Sequence, residues 1–321
     1  MKNTPNEWSL LDKIKFRVHR DNPNIVVPLG DDAFVFKNYP GYSVICQDML
    51  VEGIHFNLDY FSPEDLGWKA LAVNLSDIAA MGARPHYIHV SLAIPEKLTN
   101  SWLDDFYLSM SGLADQYECQ IVGGDLCSSK SGVIIDVSIH GSCEKPLTRQ
   151  GTQPGDLLLS SGPLGLSQTG LIALSQNFPE YEVAKKKHRR PVPRLDLQSL
   201  LQQKNKYIHG LIDTSDGLIN DSLRLCQEKF GFHVFIENLP IHQDTNKLAF
   251  QLGTTPEDYA LWGGEDFELL MTVHPDHYEE FSDWHLVGQV TTEPGVFLND
   301  SIRKTEITEF RGWQHFNDFS K

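Results

Sequence analysis

Apolar and β-branched residues cluster or alternate over three stretches of the first half of the chain: 43–48 (SVICQD), 86–94 (HYIHVSLAI) and 132–143 (GVIIDVSIHGSC). Each stretch predicts a strand. Between the first two, Pro63-Glu64-Asp65 has the form of an acidic helix start, and the helix is expected to run to about Gly82. Leu103, Phe106, Met110, Leu113 and Tyr117 step by three and four, so they share one face of a second helix. Near Arg149 the texture changes. TRQGTQPGDLLLSSGPLG holds two prolines and four glycines, which makes it the expected boundary between domains 1–149 and 150–321. Beyond it, LSQTGLIALSQ reads as a helix, KKKHRRPVPR (185–194) as a basic loop, and the residues after Asp216-Gly217 as a helix. GFHVFIEN and FELLMTV (267–273) read as strands. Mixed elements in both halves predict an α+β fold of two layered domains of comparable size.

Composition narrows the partners. At ~100–200 residues per domain, 321 residues make about two domains. Apolar residues form 40% and charged residues 22% of the chain, as in an ordinary folded protein. Asp and Glu number 43 against 27 Lys and Arg, a formal net charge of −16, which argues against nucleic acid or an anionic membrane surface as partner. No run approaches the ~18 apolar residues of a membrane-spanning helix. The opening MKNTPNEWSL lacks the basic end and apolar stretch of a signal peptide. Five cysteines, an odd number without a CxxC pair, indicate neither a disulfide framework nor a zinc site. The expected compartment is the reducing cytoplasm.

Where the acids sit is the strongest chemical signal. Six windows, GDDA (30–33), CQDMLVEGIHF (46–56), VNLSDIAAMG (73–82), VGGDL (122–126), LIDTSDGLI (211–219) and WGGEDFE (262–268), hold eleven Asp or Glu and no Lys or Arg. A carboxylate in apolar surroundings is costly to keep ionised without a partner. Hard divalent cations with oxygen ligands answer that need, and several Mg²⁺ ions can share such a set. Asp77 is the only charge in ALAVNLSDIAAMGA (70–83), a stretch otherwise built for burial. Each window also has a purely structural reading. Asp77 can accept hydrogen bonds from backbone or Ser76; Asp31-Asp32 and Asp213/Asp216 can cap turns or helices; GGD (123–125) can be a tight turn, and GGEDFE a loop feeding a strand.

Weaker signals complete the inventory. GPLGLSQTG (162–170) can present backbone N–H groups to an anion at a helix start, or simply admit close packing. Arg149 can fork onto a phosphate or lie exposed. The KKKHRRPVPR run reads as a solvated face. His55, seven residues after Asp48 and beside a glutamate-glycine turn, is the histidine best placed for a ligand, whereas His89 and His140 fall in expected strands. The P-loop pattern, the protein-kinase motifs and HExxH are all missing.

Taken in order, the acidic windows resemble the thiamine-monophosphate kinase family. That family belongs to the superfamily of aminoimidazole-ribotide synthetase, selenophosphate synthetase and the hydrogenase-maturation dehydratase. The likeness runs from GDDA at 30–33 through NLSDIAAMGA (74–83), GGDL, LTR, DTSDGL and GGEDFEL to GWQHF at 312–316. It implies an aminoimidazole-ribotide-synthetase-like fold, with a homodimer formed by the N-terminal sheets. It also implies transfer of the ATP γ-phosphoryl to thiamine monophosphate, giving thiamine diphosphate and ADP with the help of several Mg²⁺ ions. By the same resemblance Asp32, Asp48, Asp77, Asp125, Asp213 and Asp216 are Mg²⁺ ligands. Gly124, Asp125, Arg149 and Ser215 touch the nucleotide. His55, Glu265 and Trp313 contact thiamine phosphate, the tryptophan ring being suited to a cationic heterocycle. No dedicated base is implied, because the acceptor phosphate oxygen is already ionised at neutral pH.

One position departs from the family. Small hydroxyl residues usually precede the aspartate matching Asp48, and here they are Cys46 and Gln47, so neither is taken as a ligand. Three rival assignments fit the residues less well. A selenophosphate synthetase would carry a reactive cysteine near its start, and a hydrogenase-maturation relative would end in one; the cysteines here run from Cys46 to Cys226. A cation-binding module without chemistry is disfavoured by the absence of a D-x-D-x-D-G loop and by acids scattered as in a site assembled by folding.

Overall fold

Along Ile134–Cys143 every second residue is buried and those between are half-exposed, as a strand with one covered face requires. That strand is the sixth of the computed structural model, which describes residues 7–312 apart from 19, 28–34, 99, 228, 300–303 and 310, with side chains from residue 13 onward. GDDA (30–33), with Asp32, and Trp313 lie outside the described residues. The chain divides into two compact units, Met1–Pro146 and Leu147–Lys321.

The first unit runs α1 (Glu7–Val18), β1 (Ile25–Val27), β2 (Val35–Phe36), β3 (Tyr42–Val51), α2 (Pro63–Ala80), β4 (Arg84–Pro95), α3 (Asn100–Gln116), β5 (Gln120–Ser129) and β6 (Ile134–Cys143). β1 and β2 form a small ribbon, and the main sheet has the order β3-β6-β4-β5, antiparallel except between β4 and β5. α2 begins where the sequence signals it. Ser62 accepts the Asp65 N–H at 3.2 Å, Pro63 supplies the first turn, and Glu64 and Asp65 favour the positive end of the helix. It ends at Ala80; just beyond, Gly82 is left-handed (φ 62°) and the Ala83 N–H reaches back to the Ile78 carbonyl at 3.0 Å. α2 packs on the sheet and against α3, whose Leu103, Phe106, Met110 and Leu113 are buried.

The second unit runs β7 (Leu157–Ser160), α4 (Leu166–Ser175), α5 (Glu182–Arg189), α6 (Gln198–Gln203), β8 (Ile208–Asp213), α7 (Leu218–Leu225), β9 (Gly231–Phe235), α8 (Gln243–Leu252), α9 (Pro256–Trp262), β10 (Leu269–Val273), β11 (His285–Thr291), β12 (Val296–Asn299) and β13 (Lys304–Glu306). These strands make one sheet in the order β13-β12-β9-β11-β7-β10-β8, antiparallel except between β12 and β9. Leu158, Ile212, Leu218, Phe232, Val234, Leu270 and Val287 share its core. No helix among the described residues is long and apolar enough to cross a membrane.

Two local expectations are corrected. The basic run opens as a helix, α5, because no proline intervenes before Pro191 and Ala184, Lys185 and His188 turn to one buried side. GGD (123–125) is the interior of β5 and not a turn. A Cβ at Gly124 would run into the Val90 carbonyl, so glycine lets β5 close on β4.

Candidate active site

In the first unit, Asp48 shares its face of β3 with Cys46, whose thiol reaches the Asn74 carbonyl of α2 at 3.3 Å. Asp77 is the one residue from Lys69 to Ala80 that is not buried. Within this covered stretch of α2, Asp77 is the position left partly exposed. Asp48, Val137, Val90 and Gly124 are successive partners on one rung of the sheet. Three strand spacings of ~4.8 Å put Asp48 about 14 Å from Gly124. Asp125 is on the next rung with Ser91, Asp136 and Met49, so alternation turns it to the face opposite Asp48. Within one copy of the unit, Asp48 and Asp125 are therefore kept apart. His55 closes the turn after β3: its Nδ1 accepts the Val51 N–H at 3.0 Å, and its own N–H donates to the Val51 carbonyl at 2.9 Å. With Nδ1 accepting, the neutral ring carries its proton on Nε2.

In the second unit β8 ends at Asp213, which is buried, and the chain turns through Thr214, Ser215 and Asp216 into α7. Arg224 of α7 spans two carboxylates, Nη2 lying 2.5 Å from Asp216 Oδ2 and Nη1 2.8 Å from Asp221 Oδ1. Asp221 Oδ2 accepts the Asp216 N–H at 3.0 Å. Burial, with Asp213 beside it, pushes the Asp221 carboxyl up to about 8. Arg149 is exposed, next to Thr148, whose carbonyl accepts the Leu211 N–H at 2.9 Å two residues before Asp213.

The GGEDFE loop lies directly on this turn. Glu265 (φ 63°) and Phe267 (φ 49°) both adopt left-handed backbone, which costs a residue with a Cβ about 1–2 kcal/mol. The Glu265 N–H donates to the Ser215 carbonyl and the Phe267 N–H to the Thr214 carbonyl, each at 2.9 Å. A side chain at Gly264 would strike that Ser215 carbonyl, so the second glycine of the motif permits the contact. Ser215 and Glu265 are thus joined through the backbone. The Glu265 carboxylate lies 3.4 Å from His188 Nδ1, and Ser167 Oγ meets the same nitrogen at 3.1 Å. Both contacts fall on one ring nitrogen, which is not the geometry of a Ser–His–acid relay.

Several carboxylates read from sequence as lacking counterions have them. Glu268, buried, meets Lys187 Nζ and Arg194 Nη1 at 2.6 Å each. Burial pushes its carboxyl up, but the two cations outweigh burial and hold it below the usual carboxylate range. The basic run is correspondingly not a solvated face: the side chains of Lys187 and Arg194 are only 13% and 20% exposed. Asp266 accepts from the Gly165 and Ser167 N–H groups at 2.5 and 2.9 Å. The N–H groups at the helix start in GPLGLSQTG are therefore taken up by the protein's own carboxylate, in keeping with the structural reading of that segment. Asp221 and Arg224, an i,i+3 pair on α7, lie outside the windows read from sequence, and the partners of Asp266 and Glu268 are too far along the chain for the WGGEDFE window to show.

Residues 30–143 match the family model described as AIR synthase related protein, N-terminal domain. The matched segment lies within the first unit, which is thereby similar to the N-terminal domain of AIR-synthase-related proteins. Thiamine-monophosphate kinases of Aquifex aeolicus and Bacillus subtilis are 33% and 34% identical to it over 315 and 331 residues, covering 97% of this chain and 98% and 99% of theirs. The structure of AaThiL complexed with AMPPCP and TMP matches with a TM-score of 0.78 at 33% identity, covering 97% of each chain. The chain belongs to the thiamine-monophosphate kinase family and is an enzyme of that family.

Proposed function

We propose that this chain transfers the γ-phosphoryl group of ATP to thiamine monophosphate, giving ADP and thiamine diphosphate, as the closing step of thiamine diphosphate synthesis. The observation that carries the proposal is the junction of Ser215 and Glu265 through a 2.9 Å hydrogen bond. The turn assigned to the nucleotide and the loop assigned to the acceptor are one backbone unit. It occurs in a chain similar over almost its full length to a protein complexed with AMPPCP and TMP.

The donor set suits Mg²⁺, being made of carboxylate oxygens: Asp32, Asp48, Asp77, Asp125, Asp213 and Asp216. Among the described residues no three His, Cys, Asp or Glu side chains are grouped to hold a metal ion. Mg²⁺ is a hard cation that takes one or two carboxylates and completes its shell with water and substrate phosphate. When bound, Mg²⁺ supplies neutralisation of the charge between two anionic phosphates. The remaining work falls to the chain itself. Arg149 offers a fork to phosphate, and Gly124 lets a ligand approach the backbone. The His55 Nε2–H donates to thiamine phosphate, while Glu265 and Trp313 face its cationic heterocycle. Transfer is direct and in line, without a phosphoenzyme and without a dedicated base.

We further assign self-association, and the larger share of ATP and Mg²⁺ binding, to residues 1–149, with Asp213, Ser215 and Asp216 completing the set from the second unit's sequence. The face of the sheet that carries Asp125 also presents Ile45 and Met49, 71% and 52% exposed. An uncovered apolar strand face suits a second copy of this chain, and light scattering distinguishes one 36.3 kDa chain from two. The five free cysteines suit work in the cytoplasm. The enzymatic reading is tested by incubating the protein with ATP, Mg²⁺ and either thiamine monophosphate or thiamine, then oxidising the products to fluorescent thiochromes. Diphosphate from the monophosphate alone supports it; no product from either acceptor refutes it. A labelled protein phosphate that goes on to phosphorylate thiamine monophosphate would overturn direct transfer.

A further inference from the structure

The basic run 185–194 has a task in the fold that the reaction as described does not use. Its Lys187 and Arg194 converge on the carboxylate of Glu268, at Oε1 and Oε2 respectively. Ser161 Oγ donates to Oε2 at 2.8 Å, and Arg194 Nη1 also donates to the Ser161 carbonyl at 2.8 Å. Arg194 is itself braced by Asp196, at 3.0 Å from Nε and 3.1 Å from Nη2. A Cβ at Gly162 would lie 2.5 Å from Glu268 Oε2, so the residue beside Ser161 must be bare for the carboxylate to seat. A buried ionic cluster of this kind is a poor device for stability alone, since apolar packing does as well. What it secures is position. Glu268 ends the loop in which Glu265 and Phe267 are left-handed, and its backbone pairs with Thr214 through N–H···Oγ1 at 2.9 Å and C=O···H–N at 2.8 Å. At the other end of the loop His188, the neighbour of Lys187 on α5, meets the Glu265 carboxylate. One helix therefore grips both ends of the loop.

We propose that α5 and Arg194 form a clamp that holds Glu265 in its left-handed conformation, making Lys187 and Arg194 positioning residues for the acceptor. This rests on the assignment of Glu265 to thiamine monophosphate. The clamp acts through Glu268 and touches neither substrate. Its loss lets the loop relax and misplaces the Glu265 carboxylate, while Gly124, Asp125 and Arg149, the residues assigned to the nucleotide outside this turn, stay in place.

The experiment compares the full-length chain with Lys187→Met, Lys187→Arg and Glu268→Gln. Thiamine monophosphate and AMPPCP binding are read by calorimetry in the presence of Mg²⁺, and backbone amide exchange is read over residues 264–268. Lys187→Met should weaken thiamine monophosphate binding about tenfold and AMPPCP binding by no more than about twofold, with Lys187→Arg restoring most of the loss. Exchange at Glu265 and Phe267 should quicken about tenfold in Lys187→Met. Glu268→Gln, which keeps the shape of the side chain, should give the same pattern even if the methionine variant fails to fold. Equal losses for both ligands, or unchanged acceptor affinity and exchange, overturn the proposal. If the wild-type chain binds AMPPCP but no thiamine monophosphate, the assignment of the acceptor has failed, and amide exchange still decides whether the clamp exists.

Discussion

Asp266 provides the sharpest test of how the second unit is held together. Its side chain is 1% exposed, and its two oxygens accept from the Gly165 and Ser167 N–H groups at the start of α4. Gly165, the residue in the capping position, has no side chain to do this, so a carboxylate about a hundred residues further along the chain caps the helix. In Asp266→Ala both donors are left buried without an acceptor, at ~1–3 kcal/mol each, partly offset because a carboxylate no longer has to be kept from water. The expected loss is about 3 kcal/mol, and about half of it for Asp266→Asn, which retains one acceptor oxygen. Urea unfolding of the full chain at pH 7.5, with amide exchange over residues 165–170, measures both. At a slope of ~1–3 kcal/mol per molar, the alanine variant should unfold about 1 M or more earlier than wild type. Coincident midpoints with undisturbed exchange in the first turn of α4 would refute the tertiary cap. Equal losses for alanine and asparagine would show that the second oxygen contributes nothing.

Two further outcomes follow from other parts of the molecule. His86 is buried, stacked on Tyr39 with ring centroids 3.6 Å apart and its Nε2 2.7 Å from Ser142 Oγ; burial first, then His140 and Arg84, lowers its pKa to about 4. Because the unfolded chain takes up this proton first, near pH 6.5, the stabilisation is whole above that pH and drains away toward about pH 4. The wild type should lose about 3 kcal/mol more than His86→Gln between pH 7.5 and 4 in urea unfolding; parallel pH profiles would show that the ring is not held neutral. Asp77→Asn, at the one half-buried position of a buried helix stretch, should leave the unfolding free energy within about 0.5 kcal/mol of wild type while thiamine diphosphate formation at limiting Mg²⁺ drops about a hundredfold. Near-normal turnover there would remove Asp77 from the site.

Where sequence and structure agree, the information is local. The strand over 43–48 is found within β3, the helix opened by Pro63 closes at Ala80, and the periodic residues of 103–113 are the buried stripe of α3. Periodicity and capping chemistry act within a few residues, so they can be read along the chain. The strands β7, β8, β11 and β12 were not anticipated. Short central strands such as LLLS show no alternation, and only pairing with neighbours distinguishes them from a loop or a helix fragment.

For the site, the sequence by itself determined where the acids gather along the chain: six windows, in an order that identifies the family. It also determined that 70–83 would be buried around one acid. The tertiary structure decided which groups meet several of the described acids. Lys187 and Arg194 reach Glu268 from 81 and 74 residues away, Asp266 serves a helix start 101 residues before it, and Asp48 and Asp125 end on opposite faces of one sheet. A window without Lys or Arg therefore does not mean a carboxylate without a cation. Charges act across distances of a few ångströms, whereas the neighbours that set those distances are chosen by the packing of elements far apart along the chain.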